Sequence, residues 1–228
     1  MWEEALAGIQ KHLIATTKHS NLKIVAELPT GIGDKLLPKM DHLACFLPGA
    51  IALGATHGSK LADVRHLTEW NTEREEQIQL ARDIMKTCWG MYAVTNTGLA
   101  PEIAYFDVED DQLQPNPGDR PSSPTKNSLK AWKDDFIIKP ADAHNLQRPE
   151  TVESLLIMWR ITGDPLYREW GWKIFKAFRR YTYLGEDQGY TSINNVNAIP
   201  TSARDGMESF WLVSFLISTM RIMLIRTG

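Results

Sequence analysis

The sequence carries almost no surplus charge. Its 25 lysines and arginines stand against 28 aspartates and glutamates in 228 residues, a formal net charge of −3. That excludes the basic face with which most nucleic-acid binders neutralise phosphates, so no nucleic-acid partner is expected. Cysteine is nearly absent, with only Cys45 and Cys88. Two thiols do not make a disulfide scaffold, and on composition alone two buried free thiols are the plainer reading. Long apolar runs are missing too. The longest, residues 210–220, contains serine and threonine and ends at Arg221. A membrane-spanning helix needs about 20 apolar residues, so no span is expected. The start, Met1-Trp2-Glu3-Glu4, reads as the middle of a helix and lacks the charged and apolar regions of a signal peptide.

Several chemical signatures are also lacking. His42, His66 and His144 are scattered, with no zinc-site spacing. Gly31-Ile32-Gly33 lacks a third glycine and a strand–helix context, and no Gly-x-Ser-x-Gly elbow occurs. Nucleotide, dinucleotide and serine-hydrolase chemistries are therefore poorly supported. What is present is tryptophan, eight of them, in a chain that is 43% hydrophobic. Aromatic faces together with carboxylates suit sugar rings, which offer apolar C–H faces and a rim of hydroxyls.

Helical periodicity dominates. Trp2, Ala5, Leu6, Ile9 and Leu13 predict a helix over 2–16, and Leu22, Ile24, Ala26 and Leu28 alternate as a short strand. Residues 73–93 predict a helix, with Ala81, Ile84, Cys88, Met91 and Tyr92 on one stripe. Residues 107–134, with four prolines, read as a long surface loop. Helices over 149–162 and 165–182 flank the turn Gly163-Asp164, and a last helix runs from about Gly206 towards Ile225. Pro-Glu recurs after a loop at Pro101-Glu102 and Pro149-Glu150, 48 residues apart, a spacing of the order of helical-hairpin repeats. A ring or stack of helical hairpins is expected rather than a doubly wound sheet.

Two glutamates stand out. Pro149 suits the first helical position, which places Glu150 beside free backbone N–H groups that favour an ionised carboxylate, a candidate general base. Arg148 pushes the same way, and Glu153 shares the face, opposite Val152, Leu155, Leu156 and Trp159. Glu102 precedes the apolar Ile103-Ala104-Tyr105-Phe106, where partial desolvation would suit an acid. Taken alone, both patterns are commonly just solvated first-turn or strand-edge glutamates.

A set of blocks carries more. They are Met40-Asp41-His42-Leu43-Ala44-Cys45-Phe46-Leu47-Pro48-Gly49, Gly98-Leu99-Ala100-Pro101-Glu102-Ile103, and His144-Asn145-Leu146-Gln147-Arg148-Pro149-Glu150-Thr151-Val152-Glu153-Ser154. Thr162-Gly163-Asp164, Glu169-Trp170-Gly171-Trp172, Ser192-Ile193-Asn194-Asn195-Val196 and Met207-Glu208-Ser209-Phe210-Trp211-Leu212 follow in order. In these the chain resembles the class I α-1,2-mannosidases, glycoside hydrolase family 47. The resemblance implies an all-α fold, part of an (α/α)7 barrel of helical hairpins with short β-hairpin insertions. It implies inverting, calcium-dependent hydrolysis of α-1,2-linked mannose in high-mannose N-glycans, in the lumen of the endoplasmic reticulum or Golgi. Inverting enzymes use two carboxyl groups about 6.5–9.5 Å apart.

By that resemblance Glu150 matches the general base and Glu102 an active-site glutamate sometimes given a proton-donor role. Arg148 and Glu153 match residues lining the mannose subsite, and Phe210 matches the aromatic packed on the sugar. Cys45 and Cys88 match a disulfide, which fits an oxidising lumen. Residues 1–212 resemble the C-terminal half of the catalytic domain, and 213–228 form a divergent tail in which Ser214 stands where a subsite glutamate is expected. The family's principal acid glutamate and an essential aspartate fall before residue 1, and its calcium-binding threonine block has no counterpart, so no metal ligand is expected within these residues. The isolated chain is expected to have little or no activity. The rival reading is a non-catalytic, lectin-like relative that binds mannose glycans in glycoprotein degradation.

Overall fold

The computed structural model describes residues 1–109, 131–212 and Ser218. The helices are α1 (Trp2–His12), α2 (Leu47–Thr56), α3 (Leu61–Val64), α4 (Thr72–Ala93), α5 (Glu150–Thr162) and α6 (Pro165–Tyr181). Short strands fill the connections. β1 (Ile14–Thr16) pairs with β2 (Lys23–Val25), and β3 (Lys39–Asp41), β4 (Ile103–Phe106) and β5 (Phe136–Ile137) form an antiparallel sheet in the order β3-β4-β5. β6 (Tyr183–Gly185) pairs with β7 (Gly189–Tyr190), and β8 (Ser192–Ile193) with β9 (Ala203–Arg204).

α4 begins where Asn71 accepts a hydrogen bond from the Arg74 N–H, with Glu73 and Glu75 complementing the positive end of the helix. Its stripe of Ile78, Ala81, Met85, Cys88 and Tyr92 is fully buried. α2 packs against both α4 and α5, and the Cys45–Cys88 disulfide ties the turn before α2 to α4 at the centre of the core. α5 ends on Gly163 at φ 72°, a conformation that costs glycine nothing. Asp164 then accepts from the Leu166 N–H, and Pro165 opens α6. That chemistry makes the α5–α6 hairpin tight.

Three expectations are corrected at their boundaries. The first helix stops at His12, because residues 14–16 are captured by β2. Pro149 sits just before α5, not inside it, so Glu150 is the first helical residue. Glu150 is also not on a solvated face: it is 4% exposed. Most of the loop expected over 107–134 and most of the last helix lie outside the described residues. Among the described residues, no helix is long and apolar enough to cross a membrane.

Candidate active site

The site assembles where three segments meet: the β3–α2 turn with His42, the approach to β4 with Glu102, and the entry to α5 with Arg148 and Glu150. Main-chain bonds hold them together. The His42 N–H donates to the Glu102 carbonyl at 2.9 Å, and the Glu102 N–H donates to the His144 carbonyl at 2.8 Å. Asn145 acts as a clamp. Its Nδ2 donates to the Ala100 carbonyl at 2.8 Å, while its Oδ1 accepts from the Gln147 N–H at 3.0 Å. Gln147 has φ 61°, a left-handed bend uncommon for a non-glycine residue, directly before Arg148.

Glu150 lies at the N-terminus of α5, where free N–H groups and the helix dipole favour negative charge. Its Oε2 is 2.8 Å from His42 Nδ1. Burial pushes the Glu150 carboxyl upward, but the hydrogen bond from His42, its own backbone N–H and the Arg148 guanidinium outweigh that. The net result is a pKa below the ordinary glutamate value. We assign the proton on Nδ1 of His42, because that nitrogen faces a carboxylate. On the other side, His42 Nε2 is 2.7 Å from the Tyr92 hydroxyl and 3.3 Å from Thr151 Oγ1. Tyr92 is pushed far above its ordinary pKa by burial and by the Glu150 and Glu102 carboxylates. It therefore keeps its proton and can donate to Nε2. The chain Tyr92–His42–Glu150 is thus a buried, polarised relay ending on a carboxylate.

Arg148 reaches the other glutamate. Its Nε donates to Glu102 Oε1 at 2.5 Å, with both side chains mostly buried. Its guanidinium also lies 5.8 Å from the centroid of the Phe210 ring, within cation–π range. The structure therefore brings together Glu150, Glu102, Arg148 and Phe210. Glu153 follows one turn along α5, half-buried and with no side-chain hydrogen bond or ion pair among the described residues. Cys45 and Cys88 are bonded to each other. The Ser214 position lies outside the described residues. Such an arrangement has an ionised carboxylate, a fixed cation and an aromatic face, groups able to contact the hydroxyls and apolar face of a neutral polyol.

Sequence reasoning missed His42. It lies 108 residues from Glu150, so no local spacing links them. The one usable signal was a histidine placed directly before an apolar, cysteine-bearing helix turn. Among the described residues no group of three or more histidines, cysteines, aspartates or glutamates converges in a way that could hold a metal ion.

Comparison with known proteins gives a consistent outcome. The family model described as Glycosyl hydrolase family 47 matches residues 1–216. The chain is 47% identical over 212 residues to mannosyl-oligosaccharide 1,2-alpha-mannosidase MNS3 of Arabidopsis thaliana, covering 93% of this chain and 33% of that protein. It is 43% identical to the endoplasmic reticulum mannosyl-oligosaccharide 1,2-alpha-mannosidase of Schizosaccharomyces pombe, over 92% of this chain and 36% of that protein. For the human endoplasmic reticulum counterpart the identity is 41%, over 92% of this chain and 25% of that one. The chain thus spans about a third or less of the length of these relatives. The solved structure of alpha-1,2-mannosidase from Trichoderma reesei superposes with a TM-score of 0.74 at 23% identity, covering 99% of this chain and 41% of that one. The architecture is accordingly that of part of an (α/α)7 barrel. Sequence match, fold and block order agree, and the chain belongs to glycosyl hydrolase family 47.

Proposed function

We propose that this chain supplies part of the catalytic domain of a mannosyl-oligosaccharide 1,2-α-mannosidase, with residues 1–212 forming the C-terminal portion of that domain and 213–228 a divergent tail. The observation that carries the reading is Glu150: a buried carboxylate held ionised by His42, at a helix N-terminus, beside the Arg148–Glu102 pair and Phe210.

In this reading Glu150 is the general base. It takes a proton from water as the water oxygen attacks the anomeric carbon from the face opposite the leaving group; the glycosidic C–O bond breaks as the departing oxygen takes a proton from a carboxylic acid supplied by the rest of the domain, and the centre inverts. His42 is a positioning residue: by donating to Oε2 it keeps the carboxylate aimed and ionised. Glu102 has one oxygen committed to Arg148, so its first effect is to fix that guanidinium against the sugar hydroxyls. Phe210 offers an apolar face to the ring. Glu153 extends the polar wall of the subsite. Calcium belongs to the proposal for the whole enzyme. The substrate class is high-mannose N-glycan, and the setting is the secretory pathway, in the lumen of the endoplasmic reticulum or Golgi. Relatives named as endoplasmic reticulum enzymes and the Cys45–Cys88 disulfide support that placement.

The isolated 228-residue chain is proposed to bind mannosides with little turnover. A titration of the purified chain with α-1,2-mannobiose, with free mannose followed by proton NMR, tests both parts. Saturable binding that weakens about tenfold in Arg148→Ala or Phe210→Ala upholds the site. Equal binding in all three proteins overturns it. Brisk mannose release by the chain alone overturns the claim that it is insufficient. The buried, ionised state of Glu150 favours catalysis over a purely lectin-like role, because binding alone does not require a desolvated base.

A further inference from the structure

Away from Glu150 the molecule has a second concave surface built from tryptophan. A cavity of about 360 Å³ opens between α4, α6, the β1–β2 turn and the segment before β5. Its walls include Trp89, Trp132 and Trp170, with Lys86 and Ser20 at polar positions. None of Glu102, Arg148, Glu150 or Phe210 lines it. We infer that this cavity is a second carbohydrate-binding site, taking one pyranose ring of a glycan.

The walls are fixed without a ligand. Trp89 and Trp170 stack nearly parallel, 5.3 Å apart at 5°. Trp132 meets Phe136 edge-on at 5.9 Å, and Phe136 in turn fills the space above Gly90, where an added Cβ would lie 2.5 Å from its Cζ. The β1–β2 turn is anchored by Asp135, three residues after Trp132. This fully buried carboxylate accepts from Thr17 Oγ1 at 2.9 Å, from the His19 N–H at 2.9 Å and the Ser20 N–H at 3.0 Å, and from Ser20 Oγ. A site already held in shape has less ordering cost on binding.

The wall chemistry selects the ligand class. The rings offer apolar faces and edges, suited to C–H groups. The indole N–H groups of Trp89, Trp132 and Trp170 have no hydrogen-bond acceptor among the described residues, and Lys86 adds an exposed ammonium. Ser20 Oγ gives its proton to Asp135, which leaves its lone pairs to accept. A sugar ring has an apolar face for the indoles and hydroxyls suited to the polar positions at Lys86 and Ser20. Small pockets that are apolar with a few placed polar groups are the usual form of ligand sites. The choice of a sugar rests on the reading of the chain as part of a glycan-trimming enzyme.

The test is a titration of the full chain with methyl α-mannopyranoside, read by tryptophan fluorescence and repeated on variants. Trp132→Ala removes a wall, and Ala93→Phe fills the cavity without removing one. The parent chain is expected to show two saturable, millimolar-range components: Trp132→Ala and Ala93→Phe each weaken one about tenfold and leave the other, while Arg148→Ala weakens only the other. Loss of all response in Arg148→Ala, with both cavity variants unchanged, overturns the inference and leaves the Glu150 site standing. The absence of any saturable response in the parent chain overturns it too. So does binding of an apolar dye that Ala93→Phe abolishes and the sugar does not displace. The Glu150 reading fails separately, when the parent shows a single component that Arg148→Ala leaves unchanged and Ala93→Phe abolishes; that outcome upholds the cavity.

Discussion

Removing the His42 imidazole is expected to make the stability of this protein depend on pH in the opposite sense. Glu150 and His42 are 5% and 2% exposed as side chains and 2.8 Å apart. Deleting the donor leaves a buried carboxylate short of a hydrogen bond, which costs about 3 kcal/mol. The pH dependence separates this from simple loss of packing. In the parent protein the Glu150 pKa is lowered from 4.5, so its contribution is complete above that value and is lost as pH falls through the folded pKa. In His42→Ala the lowering contributions of His42 disappear and burial dominates, so the carboxyl is pushed up. That group then opposes folding at neutral pH, and the penalty is relieved as acid protonates it. Urea unfolding at about pH 7 and about pH 5 should therefore show a gap between parent and variant that narrows by 1 kcal/mol or more, about one pKa unit's worth. The double variant His42→Ala/Glu150→Gln should recover part of the loss, since it removes the stranded charge. A pH-independent gap, or strictly additive effects of the two substitutions, would refute the relay.

Other expectations follow from individual contacts. Gln147 is fully buried and neither atom of its side-chain amide has a partner among the described residues, so Gln147→Leu should stabilise the chain by about 1–2 kcal/mol, read as a raised Tm. Reducing Cys45–Cys88, which closes a separation of 43 residues, should cost about 4 kcal/mol of stability; thiol titration under denaturation should find two thiols only after reduction. Gly90→Ala places a Cβ 2.5 Å from Phe136 Cζ and should destabilise by about 1–3 kcal/mol in thermal melts. Asp135→Ala leaves the donors of Thr17, His19 and Ser20 without their acceptor and should cost about 2–3 kcal/mol while exposing the β1–β2 turn to limited proteolysis.

Local chemistry was legible in the sequence wherever one segment settles its own structure. The stripe through Ala81, Cys88 and Tyr92 yielded α4 to within a residue, and Gly163-Asp164-Pro165 yielded the α5–α6 turn. Where a distant partner decides, periodicity misled. Residues 14–16 continue a helical pattern but pair with β2, because the strand satisfies their backbone across a turn that Asp135 holds. The glutamates show the same division. The position of Glu150 in a first turn was readable, but its burial was not, because the closing residue is a histidine in another element. Resemblance to a family supplied Glu102, Arg148 and Phe210 as a set, where spacing alone left Glu102 a common strand-edge glutamate.

The physical reason is that the site is assembled by groups every residue carries. His42 reaches Glu102 through N–H and C=O, and Glu102 reaches His144 the same way. Backbone bonds of this kind have no compositional signature, yet they place Glu102 next to Arg148 and His42 next to Glu150. The side chains then need only short, ordinary contacts to acquire unusual properties. α4 makes the point in one helix turn: Cys88 closes the disulfide, Tyr92 caps the histidine that holds the Glu150 carboxylate, and Trp89 between them faces the tryptophan cavity. Any substitution that rotates or shifts this turn must therefore disturb the core crosslink, the relay and the cavity together. Substitutions confined to one face, such as Ala93→Phe, should separate them.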